Sequence, residues 1–128
     1  VAEWVASRIP HMDGGNFGDC VTAAVVDEKN NILGAVIFSE YRKTDIQMSI
    51  AADSKRWLSK KILRDIFSYP FVFLGCNRAT AYTAESCENV RDILIGFGFQ
   101  KEGVLRQALN CGDALVYGML RNECKWIK

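Results

Sequence analysis

The sequence has a single histidine, His11, and its five cysteines include no pair at Cys-x-x-Cys spacing. Zinc sites need grouped Cys or His ligands and a Cys–His nucleophile needs both partners, so neither a metal nor such a nucleophile is expected. Lys and Arg (16) almost equal Asp and Glu (15), which gives no electrostatic reason to expect a nucleic acid or a membrane surface as partner. No apolar run reaches the roughly 18 residues of a membrane helix, and no secretory signal opens the sequence.

The composition is that of an ordinary folded domain. Of 128 residues, 49% are hydrophobic and 24% are charged, so we expect one domain over 1–128 whose core needs no disulfide or metal. Unpaired thiols without a secretion signal are typical of a reducing, cytoplasmic setting.

Hydrophobic periodicity divides the sequence into short helices and strands. Because the fourth strand is reached from the third through a helix, these two strands are expected to be parallel neighbours. The helix before the fourth strand carries a kink or restart at Pro70 and ends at Gly75, and the helix after it is capped by Ser86 and ends at Gly98. The predicted elements are a helix at 1–9, strands at 21–26, 32–41, 45–52 and 78–83, and a hairpin at 104–109 and 114–120.

Two runs near the end carry a family resemblance: Gly98-Phe99-x-x-Glu102-Gly103-Val104-Leu105-Arg106 and Asp113-x-x-x-Tyr117-Gly118-Met119-Leu120. Together with the order of elements, they resemble the GNAT superfamily of N-acetyltransferases, in the compact type found in phage and prophage genomes. The resemblance implies an α+β fold: a mixed, mostly antiparallel sheet with helices on both faces and a shortened N-terminal region. It also implies acetyl-CoA as cosubstrate and an amine as acceptor.

In that family the strands corresponding to 45–52 and 78–83 splay apart and leave a cleft for the pantetheine arm. The resemblance assigns the backbone of Ser49, Ile50, Ala51 and Ala52 to that arm. The next loop and helix start hold the pyrophosphate, because free N–H groups and the helix dipole favour an anion. The six positions of this phosphate loop are Ser54, Lys55, Arg56, Trp57, Leu58 and Ser59.

Two glycine positions of the family's phosphate loop are occupied here by Trp57 and Ser59. Ser59 is small, whereas Trp57 is either a hydrophobic plug of the cleft or a platform on which adenine stacks. Nearby cations can compensate for the changed glycine positions, because positive charge near a helix start attracts a pyrophosphate. The alternative is that these charged side chains are simply solvated. The cations concerned are Lys55, Arg56, Lys60 and Lys61.

A second departure lies in the helix before Gly98. The family's helix-capping Asn falls on Cys87, and its frequent Tyr, the proton donor to the departing thiolate, falls on Leu94, which cannot donate a proton. Asn89 either reaches the cofactor or is a local cap. Cys87 stands near a helix N-terminus but has no base partner for a nucleophilic role.

Acid–base candidates must face the cleft from its strands. Asp45 and Gln47 lie where the family often places a Glu, and Glu40 ends the preceding strand. Gln47 cannot act as a base but can hold a water, and each carboxylate has the alternative of a solvated strand-end charge. Tyr82 is the nearest candidate for a proton donor to the thiolate.

Glu102 and Gly103 suit a β-bulge, and Arg106 is expected to pair with Glu102 or to line the acceptor side.

Taken together, the resemblance predicts an acetyl-CoA-dependent N-acetyltransferase acting on a primary amine. The alternative is an inactive GNAT-like protein that works through a protein partner. Only about one helix precedes Val21, where the family has a strand and two helices, so either residues before Val1 supply the missing strand or the acceptor site is unusually open, which would suit a macromolecular amine. Exposed sheet edges favour a homodimer.

Overall fold

The computed structural model describes residues 20–52 and 59–128. The helix expected at 1–9 and the phosphate-loop residues Lys55, Arg56, Trp57 and Leu58 lie outside this described part. The described elements are β1 (Cys20–Val26), β2 (Ile32–Ser39), β3 (Asp45–Ala52), α1 (Lys60–Ser68), a π-helical turn (Tyr69–Phe73), β4 (Arg78–Ala84), α2 (Glu88–Phe97), β5 (Gln100–Leu109), β6 (Gly112–Leu120) and two 3-10 turns (Arg121–Glu123 and Lys125–Ile127).

Six strands form one sheet in the order β1-β2-β3-β4-β6-β5. Every neighbouring pair is antiparallel except β3 and β4, which are parallel. The expected mixed, mostly antiparallel sheet is therefore confirmed. The parallel pair follows from the crossover through α1, because a chain that leaves one strand through a helix returns to the same end of the sheet.

Both described helices pack on one face of the sheet. The crossovers β3–α1–β4 and β4–α2–β5 step through the sheet in the same direction, and right-handed crossovers then place their helices on the same side. At the centre of the core, Phe67 of α1 meets Phe97 of α2 edge-to-face, with ring centroids 5.6 Å apart. The opposite face carries a smaller buried cluster of Ala35, Ile37 and Ala51.

Helix α1 is amphipathic in the way its sequence indicates. Leu63, Ile66 and Phe67 are buried, whereas Lys60, Lys61, Arg64 and Asp65 are exposed. Pro70 changes the hydrogen-bond pattern as expected, since it has no N–H to donate. The chain continues as a π-helical turn in which the Leu74 N–H donates to the Tyr69 carbonyl at 2.9 Å.

Three strand boundaries differ from those expected by two residues or more. β2 ends at Ser39 rather than at 41, because Glu40 has a φ of 52° and so leaves the extended region. β5 begins at Gln100 rather than at 104, since Gly98 ends α2 in the left-handed conformation and Phe99 turns directly into the core. β6 begins at Gly112, two residues before the expected start.

No helix within residues 20–52 and 59–128 is long and apolar enough to cross a membrane.

Replacing Phe67 by Ala should lower the free energy of unfolding by about 3–5 kcal/mol, because it empties the contact between α1, α2 and the sheet. Phe73→Ala is the matched control, since that ring is 78% exposed and its loss should cost less than about 1 kcal/mol. Urea unfolding followed by circular dichroism measures both, and equal losses for the two variants would contradict the described core.

The five free thiols should differ in reactivity. Cys111 is exposed, whereas Cys76 and Cys124 are buried, and burial raises the pKa of both buried thiols and so lowers their thiolate fraction. We expect a thiol reagent at pH 8 to modify Cys111 first and Cys76 and Cys124 only after unfolding in urea. Mass spectrometry of the labelled peptides gives the order, and early labelling of Cys124 would contradict the burial.

Candidate functional site

The two parallel strands at the centre of the sheet separate after three residue pairs. Asp45, Ile46 and Gln47 of β3 pair with Arg78, Ala79 and Thr80 of β4. Beyond that point β3 stays paired with β2 as far as Ala52, and β4 stays paired with β6 as far as Ala84. The strands therefore diverge into a V-shaped cleft, and the expected splaying is confirmed.

The wall of this cleft on β3 is the segment expected to hold a pantetheine arm. Ser49, Ile50 and Ala51 are buried and Ala52 is half-buried. Their β2 side is paired, whereas in the described part of the chain no strand pairs with their β4 side. The cleft thus presents an open backbone edge to which an extended ligand can add as a strand does.

Helix α1 begins at the open end of the cleft. Ser59 is its N-cap, and its hydroxyl accepts a hydrogen bond from the Ile62 N–H at 3.2 Å. Helix geometry leaves the N–H groups of Lys60 and Lys61 without an intrahelical acceptor, and both side chains are exposed. Ser59 therefore stands at the helix start, where the comparison with the phosphate loop places it, and the two lysines add positive charge beside it.

Helix α2 begins at the same end of the cleft, and its cap lies where the family resemblance places it and not at the Ser86 expected from the local pattern. Cys87, and not Ser86, is the N-cap: its carbonyl accepts from the Arg91 N–H, and its N–H donates to the Ala84 carbonyl at 3.0 Å. Ser86 lies in the turn that follows β4, so the helix starts one residue later than a Ser86 cap would place it. Cys87 is half-buried and Asn89 is exposed on the first helical turn.

Leu94 is fully buried between α2 and the sheet, with 1% exposure. The position on which the resemblance places the family's frequent tyrosine is thus part of the hydrophobic core here, and it supplies no proton donor to the cleft.

A polar network joins the strands at the closed end of the cleft, on the face away from the helices. The Thr80 hydroxyl donates to Asp45 Oδ1 at 2.8 Å, and Arg78 Nε donates to Thr80 Oγ1 at 2.9 Å. Arg78 also donates to Glu102 through Nη2 at 2.8 Å. Hydrogen bonding to Glu102 raises the pKa of Arg78, so its charge is permanent. The Asp45 carboxylate is therefore already engaged, by Thr80 and by Arg78.

Glu102 reaches Arg78 because a β-bulge turns it across the sheet. The register of β5 against β6 shifts between Lys101 and Gly103, which confirms the bulge expected from the Glu-Gly pair. Glu102 pairs with Arg78, so of the two roles expected for Arg106 the pairing with Glu102 is wrong, and lining the acceptor side stays a prediction. The pair lies over Gly118, where an added Cβ would come within 2.6 Å of Arg78 Nη2 and closer still to the Glu102 carboxylate.

The remaining acid–base candidates occupy different places. Gln47 is half-buried and pairs with Thr80 at the last contact of β3 and β4. Tyr82 follows two residues later on the same face and is 37% exposed. Glu40 is exposed beyond the end of β2 and lines a cavity with Ser39 and Tyr41. The structure thus brings Gln47 and Tyr82 to the cleft and leaves Glu40 outside it, with β3 between.

Sequence reasoning missed Arg78, Thr80 and Arg91. Arg78 and Thr80 form the network with Asp45 through strand pairing, which no local pattern signals. Arg91, on the first turn of α2, has a buried Nε with no hydrogen-bond partner in the part of the chain that the structure describes. Such an unpaired donor at a helix start is a candidate ligand contact.

The described residues contain no group of three or more His, Cys, Asp or Glu that would hold a metal ion.

No protein-family model matches this sequence, and no curated protein matches it either. Solved structures do match. The spermidine N-acetyltransferase from Vibrio cholerae in complex with CoA and spermine superposes with a TM-score of 0.69 at 16% identity, over 84% of this chain and 68% of that one. The ribosomal-protein-S5-alanine acetyltransferase from Vibrio fischeri gives a TM-score of 0.68 at 19% identity, over 83% of this chain.

A third match is the acetyltransferase of the GNAT family from Bacillus anthracis, with a TM-score of 0.65 at 15% identity over 80% of this chain and 67% of that one. The chain spans 64% of the length of the Vibrio fischeri protein. At these identities the matches show the fold, and the described part of the chain has the GNAT acetyltransferase fold.

Gly118→Ala should destabilise the protein by about 1 kcal/mol, because its Cβ forces Arg78 and Glu102 apart and breaks their ion pair. Gly103→Ala is the control, since its Cβ would meet nothing within 4 Å, and it should change stability by less than about 0.5 kcal/mol. In a Glu102→Ala background, the cost of Gly118→Ala should fall. Urea unfolding of the four variants measures this, and an undiminished cost in that background would contradict the described pair.

Proposed function

We propose that this protein is an acetyl-CoA-dependent N-acetyltransferase that moves an acetyl group directly onto a primary amine. The observation that carries the proposal is the cleft between β3 and β4, open along the β3 backbone and flanked at its mouth by the starts of α1 and α2. This shape fits a long ligand with an amide-rich arm and a phosphate end, because backbone groups pair with the arm and helix starts attract the phosphates.

In this proposal the residues that hold the cosubstrate follow from their position. The β3 edge from Ser49 to Ala52 pairs with the pantetheine arm. The start of α1, with Ser59 and Lys60, takes the pyrophosphate, and the family resemblance adds Lys55, Arg56, Trp57 and Leu58 to the residues proposed for it. Cys87 and Asn89 approach the ligand from the start of α2.

Transfer itself needs little beyond positioning. The amine nitrogen attacks the thioester carbonyl, a carbon–nitrogen bond forms, the carbon–sulfur bond breaks, and the thiolate takes a proton. Holding the two reactants in line supplies much of the rate. Tyr82 is the proposed proton donor to the thiolate, and Gln47 holds a water that relays the proton of the amine toward solvent or a carboxylate. Asp45 is tied to Thr80 and Arg78, so its proposed part is to orient this end of the cleft.

The acceptor enters from the face that carries Gln47 and Tyr82. One matched protein is described as acting on spermidine and another on a ribosomal protein's alanine, so the fold accommodates both small and macromolecular amines. We propose a primary amine of the second kind, a protein N-terminus or lysine, with a small amine as the alternative. We also propose that the protein is of the compact type found in phage and prophage genomes, acts in the cytoplasm and forms a homodimer.

Thermal unfolding with and without millimolar acetyl-CoA is the first test. A ligand at 100 times its dissociation constant should stabilise the protein by about 2.7 kcal/mol, which raises Tm by several degrees. CoA should act likewise, and ATP should act less because it lacks the pantetheine arm. If neither acetyl-CoA nor CoA raises Tm, the proposed function fails.

Tyr82→Phe should lower kcat about a hundredfold with little change in the KM for acetyl-CoA, because it removes the proposed proton donor and keeps the ring. Tyr41→Phe is the matched control, since that tyrosine is exposed outside the cleft and its variant should keep full activity. Release of free CoA in the presence of a panel of peptide and polyamine acceptors measures both. An unchanged kcat for Tyr82→Phe would remove Tyr82 from the mechanism.

A further inference from the structure

A groove of about 540 Å³ runs along the outer flank of α1. Three of its lining residues come from α1 and three from the end of the chain, where the last 3-10 turn lies beside that helix. We call it the basic groove; its lining residues are Lys60, Lys61, Arg64, Lys125, Trp126 and Lys128.

The charge of the basic groove is unbalanced. Five of its six lining residues are cations, and no carboxylate lines it within residues 20–52 and 59–128. The ion pairs in this part of the chain involve Arg78 and Arg91 instead. Asp65, the acidic residue of α1, lines a separate apolar cavity beside β1. In a chain whose net charge is +1, this local excess disfavours the unliganded state and favours an anion in the groove.

The wall of the groove is held in place before any ligand arrives. The Trp126 indole N–H donates to the Phe97 carbonyl at 2.8 Å, and Lys128 Nζ donates to the Asn122 carbonyl at 3.0 Å. Lys125 Nζ lies 4.7 Å from the centre of the Trp126 ring. These contacts tie the end of the chain to α2 and fix its lysines along α1, so little ordering is needed on binding.

We propose that the basic groove binds the phosphorylated nucleotide end of the cosubstrate, with Lys125 and Lys128 recognising its ribose 3′-phosphate. The inference rests on the proposed function, because the groove begins at Lys60 and Lys61, beside the helix start that takes the pyrophosphate. The groove continues from that helix start along α1, so a nucleotide whose pyrophosphate lies there can place its ribose in the groove. Lysine meets a phosphate as a compact point charge, which suits a group at the solvent-exposed end of a ligand.

The test compares CoA with 3′-dephospho-CoA by titration calorimetry at low salt, where surface charges are least screened. The protein should bind CoA about tenfold more tightly, as expected for two exposed ion pairs. In Lys125→Ala/Lys128→Ala this preference should disappear while the affinity for dephospho-CoA stays the same. Lys125→Arg/Lys128→Arg should keep the preference, since the charge is retained.

The matched control removes the same total charge elsewhere. Lys43 and Lys101 are exposed, and the control is Lys43→Asn/Lys101→Ala. Asn is used at position 43 because the backbone there has a left-handed φ of 66°, which Asn tolerates. This variant should keep the tenfold preference for CoA. Equal affinity of the unmodified protein for CoA and dephospho-CoA would overturn the inference and leave the proposed function intact. Failure of both ligands to bind would overturn the proposed function, and the inference with it.

Discussion

The short parallel pairing of β3 with β4 is the constraint on which the rest of this structure depends. Three residue pairs join the strands, and each strand then follows its own antiparallel neighbour, so the sheet opens without losing the ladders on either side. The Asp45–Thr80–Arg78 network crosses this junction and ties both strands at the point where they part. Because α1 follows β3 and α2 follows β4, the same divergence places both helix starts at the mouth of the cleft.

The two faces of the sheet differ in charge around this opening. On the helix side lie the free N–H groups of α1, its lysines and the basic groove, all of which attract anions. On the opposite face, the carboxylates of Asp45 and Glu102 share Arg78, and Tyr82 lies on that same face of β4. Under the proposed function, this difference separates the phosphate end of the cosubstrate from the incoming amine, so each reactant reaches the cleft from the side that its charge favours.

Local patterns predicted much of the fold because each rests on neighbouring residues. The alternation of Ile46, Met48 and Ile50 set β3, and the left-handed Gly98 closed α2 as expected. Glu102-Gly103 marked a bulge that the register of β5 against β6 confirms. The Ser86 cap expected from the local pattern of α2 was wrong by one residue, because Ser86 lies in the turn after β4, whereas the family resemblance placed the cap on Cys87, where it is found. One of the two roles expected for Arg106, the pairing with Glu102, was wrong as well, since the Glu102 side chain reaches across the sheet to Arg78.

The sequence by itself determined the order and type of the elements, the parallel relation of β3 to β4 and the candidate lysines at the start of α1, because periodicity, turn residues and crossover rules act over short distances. The tertiary structure alone decided which distant residues meet. Arg78 lies 24 positions from Glu102, and Lys125 follows α1 by more than fifty positions yet shares a groove with it. Such meetings depend on strand register and on how the end of the chain packs against the helices, and no local spacing encodes either.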